Sequence, residues 1–69
     1  MIQPGKRLTS PQMEEFLSNQ NLTARFTFQI HAPAFPPYDK TFQNNTEAYE
    51  FIAENPDVIY EFKFQTDYV

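Results

Sequence analysis

Two stretches of the chain alternate between apolar and polar residues. The first covers residues 22–31 and places on one side Leu22, Ala24, Phe26, Phe28 and Ile30. The second covers residues 58–65 and places on one side Val58, Tyr60, Phe62 and Phe64. Because a period of two is typical of a strand with one buried and one solvated face, both stretches are predicted to be strands of one sheet.

A short segment with helical spacing precedes each strand. Ser10 as the N-cap and Pro11 at the first helical position predict a helix over residues 11–19. Its apolar side carries Met13, Phe16, Leu17 and Gln20. Thr46 as the N-cap predicts a second helix over residues 47–54.

The rest of the chain has a weaker pattern. Residues 32–45 contain three prolines and are predicted to form a long connection, in which residues 40–43 add a short edge strand. Residues 1–8 carry a Pro-Gly pair and little periodicity, so they are predicted to be a flexible N-terminal arm. Residues 9–69 then form a single domain, since a chain of this length holds one core.

Residues 15–29 and 50–65 resemble each other, because each runs from a short helix into an aromatic strand. One interpretation is a duplicated unit. The other is that binary patterning alone makes any two such helix-strand segments similar.

These elements predict an α+β fold, a small two-layer sandwich in which two helices pack on one face of a two- to three-stranded sheet, in the order α-β-(β)-α-β. The two principal strands are either parallel, through a right-handed crossover, or antiparallel, if the two units are related by pseudo-symmetry. One buried cluster is expected to contain Phe16, Phe26, Phe28, Phe51, Phe62 and Phe64.

The composition excludes several classes of binding and metal site. The formal net charge of −4 and only five Lys and Arg residues argue against a protein that binds nucleic acid directly through its phosphates. The chain has no cysteine, which excludes disulfides and cysteine-based zinc sites. A glycine-rich phosphate loop is excluded, because Gly5 is the only glycine in the sequence. We therefore expect no cofactor and no metal.

The first ten residues lack the apolar run of a signal peptide, and no stretch approaches the roughly 20 apolar residues of a membrane helix. A cytoplasmic location is expected.

Two features are candidate protein-interface sites. In the stretch PAFPPY, residues 33–38, prolines restrict the backbone around Phe35 and Tyr38, which either anchor a partner or fold back as a lid over the core. On the second helix, Glu47, Glu50 and Glu54 share one stripe at spacings of three and seven. The stripe either meets a basic partner or is a solvated helix face.

Together these features predict a protein that is not an enzyme. The expected function is protein binding, as a small inhibitor of the phage or accessory type that blocks a larger host enzyme, with a basic partner surface. An alternative is an acidic nucleic-acid mimic that occupies a basic groove. A third hypothesis is a small enzyme that uses His31 as a general base. A homodimer through an exposed sheet edge is also predicted. The alternative is a monomer in which residues 33–38 or residues 40–43 cover that edge.

Overall fold

The two alternating stretches become the central strands of a four-stranded antiparallel sheet in the computed structural model, which describes residues 3–19 and 24–67. The elements in chain order are β1 (Arg7–Leu8), α1 (Ser10–Ser18), β2 (Ala24–His31), β3 (Tyr38–Phe42), α2 (Asn45–Glu54) and β4 (Ile59–Asp67). The α+β class is confirmed, whereas the sheet has four strands and not the two or three expected. Several predicted positions lie outside the described residues, namely residues 1–2 of the arm, Gln20, Leu22, Thr23 and the side chain of Ala24.

The first helix begins earlier than predicted because Thr9, and not Ser10, is its N-cap. The Thr9 hydroxyl accepts a hydrogen bond from the backbone N–H of Gln12 at 3.4 Å, and the Gln12 side-chain oxygen accepts one from the Thr9 N–H at 2.9 Å. This capping box satisfies two of the free N–H groups at the helix start. The Ser10 hydroxyl is instead buried and donates to the Pro56 carbonyl at 2.8 Å, which ties α1 to the turn before β4.

The second helix also begins earlier, because Asn44 rather than Thr46 is its N-cap. The Asn44 side-chain oxygen accepts a hydrogen bond from the Glu47 N–H at 2.9 Å. The Glu47 carboxylate accepts one from the Gln43 N–H at 2.7 Å. A carboxylate in this position also interacts favourably with the positive end of the helix dipole.

The strand order places the two similar helix-strand segments in equivalent positions of the sheet. Across the sheet the order is β1-β4-β2-β3, and every neighbouring pair is antiparallel. Thus α1 carries the chain from β1 to β2 across β4, and α2 carries it from β3 to β4 across β2. If the labels β1 and β3 are exchanged, and likewise β2 and β4, the order becomes β3-β2-β4-β1, which is the same sheet read from its opposite edge. The two units therefore occupy equivalent places, and the principal strands are antiparallel, as the pseudo-symmetric arrangement requires.

The fourth strand comes from residues 7–8, which the pattern assigned to the flexible arm. Leu8 is buried and lies opposite Tyr60 of β4. The Phe62 N–H donates to the Lys6 carbonyl at 2.8 Å, which extends the pairing by one residue. A strand of two residues has no periodicity, so hydrophobic spacing could not predict it.

The core lies between the sheet and both helices and consists mainly of aromatic rings. Phe28 is fully buried at its centre. Its ring centroid lies 5.4 to 6.3 Å from those of four other rings, which are Phe16, Phe42, Tyr60 and Phe62. Of the predicted cluster, Phe26, Phe28 and Phe62 are buried, whereas Phe16 and Phe51 pack against them partly buried.

Phe64 was predicted to be in this cluster, and that prediction is wrong. Phe28 pairs with Phe62, but the preceding residue Thr27 pairs with Phe64, so Lys63 is an extra residue in β4. A bulge of this kind shifts the alternation by one residue. Phe64 consequently lies on the face of the sheet away from the helices and is 54% exposed.

Candidate functional site

A groove of about 750 Å³ lies beside the connection between β2 and β3. Residues 32–38, here called the proline loop, form one wall of the groove, and residues 54–58, which join α2 to β4, form the other. Four of the lining residues are prolines, whose fixed φ angles restrict both walls. Val58 is buried and Ala32 packs against the core, so the groove connects to the core of the domain.

The structure brings both predicted aromatic anchors into this groove. Phe35 is 70% exposed and Tyr38 is 45% exposed. The Phe35 N–H donates to the Ala32 carbonyl at 3.4 Å, which closes a turn within the proline loop. Because Phe35 is so exposed, the loop does not fold back as a lid over the core. The lining side chains are mostly apolar, and an exposed apolar surface of this kind is typical of an interaction site.

The predicted acidic stripe borders a second, smaller pocket of about 190 Å³, which also contains Lys40 and Phe51. The three carboxylates of Glu47, Glu50 and Glu54 are here called the acidic ridge. The Lys40 ammonium lies 5.2 Å from the Phe51 ring centroid and 5.7 Å from that of Phe42, so the two rings hold it. Within the described part of the chain, Lys40 forms no ion pair with the ridge. Three carboxylates around one ammonium leave two negative charges uncompensated.

The groove and the acidic ridge form one continuous surface. Glu54 lines both the groove and the smaller pocket. At the other end of the ridge, Glu47 is bonded to Gln43, directly after β3. The ridge therefore runs alongside β3, from the Phe42 end to the Tyr38 end, where the groove begins.

A cluster of charged groups that spacing alone could not identify lies on the opposite, uncovered face of the sheet. The carboxylate of Glu61 lies 3.2 Å from Arg7 Nε, 3.1 Å from His31 Nε2 and 3.3 Å from Lys63 Nζ. Burial raises the pKa of Glu61, but the hydrogen bonds from Lys63 and His31 and the charges of Lys63 and Arg7 together leave that pKa below its ordinary value. The cluster depends on strand order, because β1, β2 and β4 each contribute to it.

This cluster bears on the hypothesis of an enzyme that uses His31. A carboxylate can orient a histidine that acts as a general base, and Glu61 lies in a position to do so. However, Arg7 and Lys63 share the same carboxylate, and His31 lines neither the groove nor the smaller pocket. Residues 3–19 and 24–67 contain no group of three His, Cys, Asp or Glu arranged to hold a metal ion.

One buried polar group lies inside the core. Tyr60 is fully buried, and its hydroxyl has no hydrogen-bond partner of good geometry among the described residues. Burial raises the pKa of Tyr60 to about 12, against an opposing effect of the nearby Ser10 hydroxyl. The alternating pattern placed Tyr60 on the inner face, but it did not indicate that its hydroxyl would lack a partner.

The second wall of the groove was not predicted. Pro56, Asp57 and Val58 line it beside Glu54. In the sequence Pro56 marks only the end of a helix, and nothing places residues 54–58 beside residues 32–38 until the sheet order is known.

No family model, curated protein or solved structure matches this chain. None of the helices in the described part of the chain is long and apolar enough to cross a membrane. The cytoplasmic location stays a prediction.

Proposed function

We propose that this protein is a non-catalytic module that binds a partner protein through the groove and the acidic ridge. The observation that carries the proposal is the exposure of Phe35 and Tyr38 within a groove of about 750 Å³ whose walls contain four prolines. Binding sites gain most of their affinity from a few well-placed aromatic anchors. A restricted backbone also loses little conformational entropy on binding.

In this proposal the acidic ridge selects the partner. Glu50 and Glu54 make no ion pair or hydrogen bond with any residue that the structure describes, so both carboxylates are available to an incoming basic group. Charges at the rim of an interface mainly raise the association rate and discriminate among partners. The proposed partner therefore presents an apolar side chain to the groove and Lys or Arg beside it.

We further propose that binding inhibits the partner, which we take to be a larger enzyme. A module as small as this chain of 69 residues would inhibit an enzyme by covering part of the enzyme's surface. The groove and ridge lie along one side of the domain, so a single contact can engage both.

A second candidate function is the nucleic-acid mimic, which the row of three carboxylates on one helix favours. Glu47 and Glu54 are seven residues apart, which corresponds to about 10 Å along a helix. The affinity of a nucleic-acid mimic for its partner falls steeply as the salt concentration rises. If the partner instead binds the aromatic anchors of the groove, its affinity falls mainly when those anchors are removed.

Capture of partners from native lysate tests the proposal with three immobilised proteins: wild type, Phe35→Ala and Phe64→Ala. Phe64 is the matched control, because it is also an exposed phenylalanine but lies on the other face of the sheet. We expect Phe64→Ala to retain the wild-type partner. Loss of an anchor typically costs about 2 kcal/mol or more, so Phe35→Ala should weaken binding by about thirtyfold. If both variants retain the partner equally, the groove is not the binding site.

The ridge is tested with Glu50→Gln and Glu54→Gln combined. The melting temperature should stay nearly unchanged, because exposed charges contribute little to stability. Association with the captured partner should slow, and the effect should shrink at high salt. The control is Glu14→Gln with Glu15→Gln, which removes the same charge from exposed positions on α1. Equal association rates for the two double variants at low salt would assign the ridge no role.

A further inference from the structure

The outer edge of β3 is open. In the order β1-β4-β2-β3, one side of β3 pairs with β2 and no described strand lies along its other side. At such an edge every second residue points its N–H and C=O away from the sheet, where an added strand can pair with them. β3 is five residues long, about 17 Å, and contains no proline and no bulge. By contrast, β1 at the opposite edge has only two residues.

The acidic ridge lies beside β3, the strand that forms this open edge. Gln43, the residue after β3, bonds to Glu47, and Lys40 in the middle of β3 lies against the Phe51 ring of α2. Lys40 pairs with Phe28, so its side chain is on the helix-covered face of the sheet. A strand added beyond β3 would therefore place alternate side chains on this same face, on which the ridge also lies.

We propose that β3 is a docking edge for an extended segment of the partner protein, which adds as a fifth strand and carries two Lys or Arg side chains four residues apart on the side facing the acidic ridge. This mode of binding rests on the proposed function and specifies it. Residues i and i+4 of a strand are about 13 Å apart on one face, close to the roughly 10 Å between Glu47 and Glu54 along α2. The side chain between them, at i+2, lies opposite Lys40 and is uncharged.

Charge complementarity selects this occupant over a second copy of the chain. In an antiparallel pair of β3 strands related by a twofold axis, Lys40 is the middle residue and would face its own copy. The two acidic ridges would also approach each other. Like charges directly opposite each other destabilise a strand pair. The proposed segment avoids this repulsion, because it places an uncharged side chain opposite Lys40 and its two basic side chains beside the carboxylates of the ridge. Strand addition of this kind obtains affinity from backbone hydrogen bonds and specificity from alternate side chains.

The test uses the full chain labelled with ¹⁵N and the peptide acetyl-Val-Lys-Val-Thr-Val-Lys-Val-amide, titrated to millimolar concentration. The peptide reads the same in both directions, so it presents lysines four residues apart whichever way it adds. We expect chemical-shift changes centred on residues 38–42 and slower hydrogen exchange at alternate amides of β3. No change in β3 overturns the proposal.

Two control peptides separate strand addition from simple charge attraction. One replaces both lysines with glutamate and should not bind. The other keeps the lysines but carries N-methyl groups on two adjacent central amides, which blocks pairing along either edge. It should bind at least about tenfold more weakly, since the backbone hydrogen bonds carry the affinity. Equal binding of the methylated peptide overturns strand addition.

Variants of the protein complete the test. Glu50→Gln with Glu54→Gln should weaken binding of the lysine peptide by about fivefold, and Glu14→Gln with Glu15→Gln should leave it unchanged. Equal effects of the two variants overturn the assignment of the lysines to the ridge. A concentration-dependent dimer that protects the β3 amides without peptide would mean that a second copy occupies the edge, which also overturns the proposal. If the peptides fail but Phe35→Ala still loses the captured partner, strand addition is wrong and the proposed function stands.

Discussion

Replacing Phe28 with alanine tests the core and the sheet register together. Phe28 is fully buried, and its ring contacts four others, from α1, β3 and β4. Truncating a buried phenylalanine costs about 3 to 5 kcal/mol, because the transfer free energy is lost and a cavity remains. A domain of this length is stabilised by roughly 3 to 10 kcal/mol in total. We therefore expect Phe28→Ala to lose most of its stability and to be substantially unfolded at 37 °C.

Phe64→Ala is the matched variant, since it makes the same chemical change in the neighbouring central strand. Fully burying a phenylalanine side chain contributes about 1.5 to 3 kcal/mol, and Phe64 is 54% exposed. About half of that contribution, near 1 kcal/mol, is the expected cost. Urea unfolding followed by circular dichroism gives both free energies, provided that the dependence on urea concentration is the same in both variants.

The relative cost of the two substitutions decides whether the bulge is real. Strict alternation through Lys63 would bury Phe64 beside Phe62 and make both truncations cost about the same. With the bulge, Phe28→Ala costs several times more than Phe64→Ala. Equal losses of stability, or a larger loss for Phe64→Ala, would refute the register described here.

Three further predictions concern the buried hydroxyl, the charged cluster and the oligomeric state. Tyr60→Phe should leave the free energy of unfolding unchanged or raise it slightly, because it removes an unpartnered buried polar group; a large loss in urea unfolding would show that the hydroxyl is bonded. Because the pKa of Glu61 is lowered on folding, its carboxylate stabilises the fold above the ordinary pKa of 4.5, and this contribution is lost as the pH falls through the lowered value. The stability difference between wild type and Glu61→Gln, measured by thermal melts across this acidic range, should therefore shrink as the pH falls, and a constant difference would contradict the cluster. The homodimer predicted from the sequence is now expected to use β4 beyond Phe62, where no described strand lies alongside; a constant mass near 8.2 kDa in sedimentation equilibrium would identify a monomer.

The helices and principal strands were predictable because each has its own period. Hydrophobic spacing placed the first helix at residues 11–19, and the structure has Ser10–Ser18. Alternation placed the last strand at residues 58–65, and the structure has Ile59–Asp67. Errors at the starts of the helices arose where two polar residues compete as caps. In α1 the Ser10 hydroxyl donates a hydrogen bond to the Pro56 carbonyl, and the preceding residue, Thr9, is the N-cap.

Features that depend on long-range pairing were not predictable. The bulge at Lys63 exists only relative to β2, and the sequence around it alternates without interruption. For the same reason, the candidate site was predicted only in part. Phe35 and Glu54 were identified separately, from loop composition and helix spacing, but only the folded chain shows that both line one groove.

The interleaved strand order has a consequence for the synthesis of the protein. When the first four elements have left the ribosome, β2 can pair only with β3. β1 then has no neighbour, because β4, which lies between β1 and β2, comes last among the described strands. Until residues 59–67 emerge, the edge of β2 that pairs with β4 in the complete sheet stays unpaired. An unpaired edge of an aromatic strand favours aggregation of incomplete chains. The insertion of β4 between two strands already made is therefore the step that completes the domain, and the fold cannot be assembled half by half during translation.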